Sequence, residues 1–352
     1  MRLQLTTNPG FEDLALAELE RSARAAGIAL SDGTTCPEGL AGHVRVACDA
    51  SWDRVEPVLR GLRSVHRVVR GVDAFALDRS RPLAQIQERV TGAVPGIPEL
   101  ADPSRSFRAT CSRTGTHDFT SEDVERVTGA GVRAVAKHPV RLKGFDVELR
   151  CDVRDDTVQL GVQLGGLSRR STGPYSQRTS LRANVAWALL ELAVHGSPPR
   201  RVLDPFCGAG TVLVEAGLRW PEVGLFGGDR LDVAVAGTRE NLAHAGLAER
   251  STVAAVDARR LEEAWPGERF DAIVTNPPFG KRLGRALDLA AFYGSFLRSA
   301  ATVATDDARL VMLAQRRGEV NRALSGTGWR TVHVRVVELG GLYVGVFVLG
   351  RA

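Results

Sequence analysis

The chain has 352 residues, 44% of them hydrophobic and 25% charged, with a formal net charge of +5. That length predicts about two or three domains, and the mild positive charge permits an anionic partner without requiring one. Five scattered cysteines without CxxC spacing, and no apolar run near membrane-helix length, argue against a disulfide framework, structural zinc and membrane spanning.

In chain order, 2–6 alternates as a strand does, Pro9-Gly10 turns, and 11–25 has helical periodicity. A strand at 43–47, a helix at 52–62 and a strand at 66–69 follow. Pro95, Pro98 and Pro103 mark a connection. A second α+β set then runs through a strand at 106–111, a helix at 121–136 and strands at 147–154 and 158–164. Thr120, three residues before Asp123, predicts an N-cap for that helix. Residues 168–182 carry four arginines and no acid and read as a linker. Beyond 183, strand-length apolar runs at 202–203, 223–226, 252–256, 270–274 and 310–314 are mostly separated by helical patterns at 211–219, 232–245 and 287–300. Such alternation predicts a parallel, doubly wound sheet. The tail, 332–337 and 342–349 across Gly340-Gly341, predicts a hairpin with an antiparallel last strand. Ligands of such a sheet bind at strand carboxyl ends, near the topological switch point.

The first of those strands runs into Asp204-Pro205-Phe206-Cys207-Gly208-Ala209-Gly210-Thr211. Two glycines allow a tight turn and close approach of backbone to a ligand, and the helix beyond offers free amides. A plain strand–helix turn would use the same residues. Leu213 replaces the third glycine of a dinucleotide fingerprint, and no lysine completes a phosphate loop. Asp229 ends the second strand and can accept from both hydroxyls of a ribose; Asp257 ends the third and can take a purine amino group. Singly each reads more readily as a turn acid; together they outline a pocket for adenosine.

After the fourth strand comes Thr275-Asn276-Pro277-Pro278-Phe279-Gly280. Tandem prolines cannot extend a central strand and hold Asn276 extended. The Asn276 amide oxygen and the Pro277 carbonyl can each accept one N–H of an exocyclic amine, while Phe279 stacks on the base. Stacking contributes about 1–3 kcal/mol whichever base is present. A base inside a duplex would have to be flipped out to reach this loop.

These two motifs together resemble the amino-methyltransferases that use S-adenosylmethionine. Phe107-Arg108-Ala109, residues 116–123 (THDFTSED) and residues 142–149 (LKGFDVEL) resemble a THUMP RNA-binding domain, and Asn8-Pro9-Gly10-Phe11-Glu12-Asp13-Leu14 resembles the opening of the ferredoxin-like domain that precedes it. The likeness spans essentially the whole chain and is to the THUMP-containing guanine-N2 RNA methyltransferases, nearest in layout to the bacterial type that methylates an acceptor-stem guanosine at position six of tRNA. It implies a ferredoxin-like domain at 1–70, THUMP at 71–165, a basic linker at 166–182 and a Rossmann-like methyltransferase domain at 183–352. It also implies that Asp204, Phe206, Gly208, Gly210 and Thr211 line the methionine part of S-adenosylmethionine, that Asp229 with Arg230 holds the ribose, and that Asp257 and Ala258 meet the adenine. Asn276, Pro277, Pro278 and Phe279 would hold the target guanine. Ser180 and Leu181 would contact the cofactor from the linker, where residues 171–175 (STGPY) depart from the family's usual run.

Arg133, Lys137, Arg141 and Lys143 can form one phosphate-binding face, with a solvated helix face as the plain alternative; His138 can add to it but reads first as a surface or packed histidine. The resemblance implies the 3′ end and acceptor stem of tRNA as partner. Arg169, Arg170, Lys281 and Arg282 are candidates nearer the reacting base, or simple loop caps. RNA affinity is expected to fall by roughly 0.7–0.9 log units per log unit of salt for each phosphate neutralised. Cys207 reads as packing rather than as a nucleophile. The reaction is expected to be direct transfer without metal, by a cytoplasmic monomer. A guanine-N2 enzyme of 23S rRNA, a DNA adenine enzyme and a non-catalytic RNA-binding protein are the other readings.

Overall fold

The computed structural model describes residues 1–167, 173–177, 180–279 and 288–352. They form two compact units, one of 1–7 with 15–169, the other of 8–14 with 170–352.

The first unit is built on strands β1 (Arg2–Thr6), β2 (Leu30–Thr35), β3 (His43–Cys48), β4 (Arg67–Ala76), β5 (Phe107–Thr110), β6 (Arg113–Thr114), β7 (Val147–Arg154) and β8 (Thr157–Gln163), with helices α1 (Glu12–Ala25), α2 (Trp52–Gly61), α3 (Pro82–Ala93) and α4 (Ser121–Val135). The sheet order is β2-β3-β1-β4-β8-β7-β5, with β6 beside β7. The expected boundary at 70/71 falls inside β4, which pairs antiparallel with both β1 and β8. The two N-terminal parts therefore share one sheet while keeping separate apolar cores. Leu3, Leu5, Val44 and Leu59 belong to one, and Ile86, Val90, Phe107 and Leu149 to the other. Thr120 caps α4 as its spacing predicts: its hydroxyl accepts from the Asp123 amide at 3.2 Å, and Asp123 accepts from the Thr120 amide at 2.9 Å.

The second unit contains α5 (Ala183–Ala193), β9 (Arg201–Asp204), α6 (Thr211–Arg219), β10 (Gly224–Asp229), α7 (Asp232–His244), β11 (Ser251–Ala255), α8 (Leu261–Ala264), β12 (Phe270–Thr275), α9 (Leu289–Thr302), β13 (Ala304–Ala314), α10 (Arg317–Ala323), β14 (Trp329–Leu339) and β15 (Leu342–Arg351). Its sheet order is β11-β10-β9-β12-β13-β15-β14. Strands β9 to β13 run parallel, and β15 is antiparallel to both β13 and β14. This is the doubly wound sheet with an antiparallel last strand that the alternation predicts. Successive residues face opposite sides: Val202 joins the core with α5, α6 and α7, Leu203 the core with α8, α9 and α10. The strand order reverses between β9 and β12, so their carboxyl ends flank the switch point.

Asn8–Leu14 belongs to this second unit. Phe11 is fully buried in the core with Val185, Val337 and Val344. The Asn8 amide donates to the Glu338 carbonyl at 2.9 Å, and Arg335 pairs with Asp13 at 2.8 Å. Gly10, at φ +97°, lies so close to β14 that a Cβ would stand 2.4 Å from the Val336 carbonyl oxygen. The Asn-Pro-Gly-Phe turn is thus a tertiary clasp on the β14–β15 hairpin.

Candidate active site

The glycine loop leaves β9 at Asp204, which is 2% exposed. Its Oδ1 accepts from the Phe206 amide at 3.1 Å and from the Thr275 hydroxyl at 2.6 Å. Thr275 is the last residue of β12, so this bond ties the cofactor-type motif directly to the proline motif. Burial pushes the Asp204 carboxyl up to about 7, with the neighbouring charge of Asp229 adding to it, against the pull of those two bonds.

Gly208 and Gly210 sit at φ +56° and +76°, as only glycine does without strain. A Cβ on Gly210 would meet the Thr238 methyl at 2.9 Å. The Thr238 hydroxyl donates to the Gly208 carbonyl at 3.0 Å, and the Asn241 amide donates to the Ala209 carbonyl at 2.8 Å. Two residues of α7 that sequence reading did not single out therefore set the loop's shape. Thr211 is buried at the start of α6. Cys207 is buried and its thiol pushed up by desolvation, which makes it a packing residue. Phe206 turns toward α9, its ring 5.1 Å from that of Phe296 and 6.0 Å from that of Phe292.

Asp229 accepts from the Gly208 amide at 3.1 Å and the Leu231 amide at 3.0 Å, so the second strand end is pinned to the glycine loop. Arg230 is exposed next to it. Asp257 follows β11, and both of its oxygens accept from the Arg259 guanidinium at 2.6–3.1 Å, which holds the carboxyl down at about 2. Arg259 was not among the candidates, although its place two residues after Asp257 is a local signal. Ala258 is buried against the core of α8 and α9.

In the proline motif, the Asn276 Oδ1 is buried and has no hydrogen-bond partner among the described residues. The Pro278 carbonyl accepts from the Tyr293 hydroxyl at 3.2 Å, so α9 braces the loop. Tyr293 is 1% exposed, and its phenol is pushed up to about 12 by burial. Pro277 is buried, and Phe279 packs partly against the core of α5 to α7.

The linker lies on the same loop. The Tyr175 amide donates to Asn241 Oδ1 at 2.9 Å and its carbonyl accepts from Asn241 Nδ2 at 2.8 Å. The Tyr175 ring fills a notch left by Gly237 of α7, where a Cβ would fall 2.1 Å from it. Gln177 donates to the Tyr175 hydroxyl at 2.8 Å and turns back on Ser180 through two bonds of 2.9 Å. Leu181 packs partly against the core. Arg169, Arg170, Lys281 and Arg282 lie outside the described residues.

Of the RNA candidates, Arg133, Lys137, Arg141 and Lys143 are all exposed around the end of α4 and the loop before β7. His138 is a packed histidine rather than part of that face: it is 2% exposed, with its Nδ1 3.1 Å from the Arg105 carbonyl.

Residues 170–345 match the family described as RMKL-like, methyltransferase domain, and residues 97–163 match the THUMP domain. The tRNA (guanine(6)-N2)-methyltransferase of Thermus thermophilus is 38% identical over 354 aligned positions, covering 100% of both chains. The chain belongs to the THUMP-containing guanine-N2 RNA methyltransferase family. The crystal structure of TrmN from Thermus thermophilus superposes with a TM-score of 0.83 at 35% identity, covering 100% of this chain and 99% of that one. A human tRNA (guanine(6)-N(2))-methyltransferase is 32% identical over 70% of this chain, which spans about half (51%) of that relative's length. As a member of this family the chain is an S-adenosylmethionine-dependent methyltransferase.

Proposed function

We propose that the enzyme methylates the exocyclic N2 of the guanosine at position six in the acceptor stem of tRNA. The observation that carries this reading is the buried Asn276 Oδ1, which has no hydrogen-bond partner among the described residues and lies one residue beyond the Thr275–Asp204 bond. An orphaned buried acceptor beside the glycine loop suits an incoming N–H donor. The 38% identical Thermus relative, matched end to end, supports the choice of base and position.

The residues present suit the cofactor. Gly208 and Gly210 keep the loop free of side chains, and Asp229 stands at the second strand end to receive a ribose. S-adenosylmethionine supplies an electrophilic methyl group when bound. Asp204, Phe206, Gly208, Gly210 and Thr211 hold its methionine part, Asp229 and Arg230 its ribose, Asp257 and Ala258 its adenine, and Ser180 and Leu181 close the pocket from the linker. Asn276 Oδ1 and the Pro277 carbonyl accept the two N–H bonds of the guanine amine, so its lone pair is turned toward the methyl donor. Phe279 stacks on the extruded base, and Pro278, braced by Tyr293, keeps the loop rigid. Rate enhancement comes from alignment and from acceptors that tighten as the nitrogen becomes positive. Arg133, Lys137, Arg141 and Lys143 take phosphates near the 3′ end of the tRNA.

The test is incubation of the purified protein and labelled S-adenosylmethionine with tRNA transcripts, followed by nucleoside mass spectrometry. N2-methylguanosine is expected in a transcript with G at position six and absent when A replaces it. Equal labelling of both transcripts, or labelling of ribosomal RNA alone, would overturn the assignment.

A further inference from the structure

Asp204 does more in this site than join two loops. Both of its described donors, the Thr275 hydroxyl and the Phe206 amide, end on Oδ1, and no described residue donates to Oδ2. The titratable groups facing the carboxyl are Asp229, from the end of β10, and the Cys207 thiol of the glycine loop. Neither brings positive charge, β12 contributes only the neutral Thr275, and no cation of the described residues balances it. An anion so enclosed is costly unless a cation joins it. Burial raises this carboxyl to the middle of the physiological range, where a single nearby charge decides its protonation.

We propose that Asp204 is the anionic partner of the cofactor's sulfonium and regains a proton when methyl transfer leaves the sulfur neutral. This rests on the reading of the glycine loop as the S-adenosylmethionine pocket. Asp204 gives up its proton when the positively charged cofactor enters. In the transfer, the methyl–sulfur bond breaks with its electron pair going to sulfur, and the N2 lone pair forms the new carbon–nitrogen bond. The nitrogen then sheds one proton to solvent. With sulfur now a neutral thioether, Asp204 is again a buried anion without a partner among the described residues, and its Oδ2 takes up one proton from solvent. The charge in the pocket balances before and after. It returns the proton to solvent when the next cofactor binds.

The experiment is isothermal titration of the full-length protein with S-adenosylmethionine and, separately, S-adenosylhomocysteine, in two buffers of different ionisation enthalpy. The two ligands share every group except the methyl and the sulfur's charge. At pH about 6.5, S-adenosylmethionine is expected to release more than about half a proton per site and S-adenosylhomocysteine far less. Asp204→Asn should still bind both ligands, release no proton with either, and lose about tenfold of the preference for the charged one, the equivalent of one pKa unit. Thr275→Val removes a donor that favours the anion and should move the midpoint of proton release to higher pH. Equal proton release with both ligands, or undiminished release from Asp204→Asn, overturns the proposal. If Asp204→Asn does not fold, an unmoved midpoint in Thr275→Val overturns it. Absence of any binding heat with S-adenosylmethionine would instead defeat the reading of the pocket itself.

Discussion

A buried amide oxygen without a donor costs about 1–3 kcal/mol, so Asn276 Oδ1 is held at some expense unless an N–H arrives to meet it. The bond that Oδ1 makes with the guanine amine strengthens as the nitrogen acquires positive charge, which places its contribution in the transition state. Asn276→Ala should therefore lower the single-turnover rate of methyl transfer by roughly 10²–10³-fold, the range seen when one such preorganised group is removed. The dissociation constant for S-adenosylmethionine, measured by calorimetry on the same protein, should stay within about twofold, because uniform binding is not what this residue supplies. A loss of cofactor affinity with the rate preserved would reassign Asn276 to the cofactor half of the site.

Elements carried by strong local patterns were legible in the sequence. The helix expected at 211–219 is α6 (Thr211–Arg219) and the strand expected at 147–154 is β7 (Val147–Arg154); the alternating apolar residues of the strand, Val147, Leu149, Cys151 and Val153, and the apolar Val212, Leu213, Val214 and Ala216 of the helix are all buried. The cap of α4 was equally local, and its chemistry gives a pH prediction. Asp123 is held down at about 2, first by the Thr120 amide and then by Arg126 and the Thr120 hydroxyl. A depressed carboxyl lends stability that is complete above the ordinary aspartate range, about 4, and is lost as the pH falls toward the folded value. Far-ultraviolet circular dichroism melts should thus show the first unit losing stability between those limits, with Thr120→Ala lowering its midpoint by a few degrees and flattening the dependence. Other elements left no such trace. Helix α5 is buried on nearly every side and shows no polar face, β2 (LSDGTT) is an exposed edge without apolar alternation, and α3 buries only Ile86 and Val90. The two motif loops of the site were legible, but the partners that shape them, Thr238, Asn241 and Tyr293, are tertiary and lie in helices that read as ordinary. One signal was available: Gly237 stands inside α7, where glycine costs roughly 1 kcal/mol against alanine, and the Tyr175 ring explains it. Gly237→Ala should leave α7 intact yet expel that ring, weakening S-adenosylmethionine binding by about tenfold in calorimetry, some 1.4 kcal/mol. Unchanged affinity would separate the linker from the cofactor pocket.

At the scale of the molecule, sequence order and spatial order part company at Asn8–Leu14, which a local reading assigns to the N-terminal domain and the contacts assign to the second unit. Nothing in the motif signals this, because a Pro-Gly turn and one phenylalanine fit either home. The energetic consequence follows from Phe11. Its ring is fully buried in the core to which α5, α6 and the β14–β15 hairpin contribute and to which Cys207 of the glycine loop belongs. Emptying such a slot by Phe→Ala costs about 3–5 kcal/mol. Four of the five tryptophans, Trp187, Trp220, Trp265 and Trp329, lie in the second unit, and only Trp52 lies in the first, so tryptophan fluorescence reports mainly on the second. Phe11→Ala should accordingly move the fluorescence-detected urea midpoint of the full-length protein downward. At a slope of about 1–3 kcal/mol per molar urea, the shift amounts to roughly one to several molar. A substitution in the eleventh residue would then unfold a methyltransferase sheet whose strands begin nearly two hundred residues later. An unmoved fluorescence midpoint would mean that the clasp contributes nothing to the second core, and that this unit draws its stability from residues 170–352 alone.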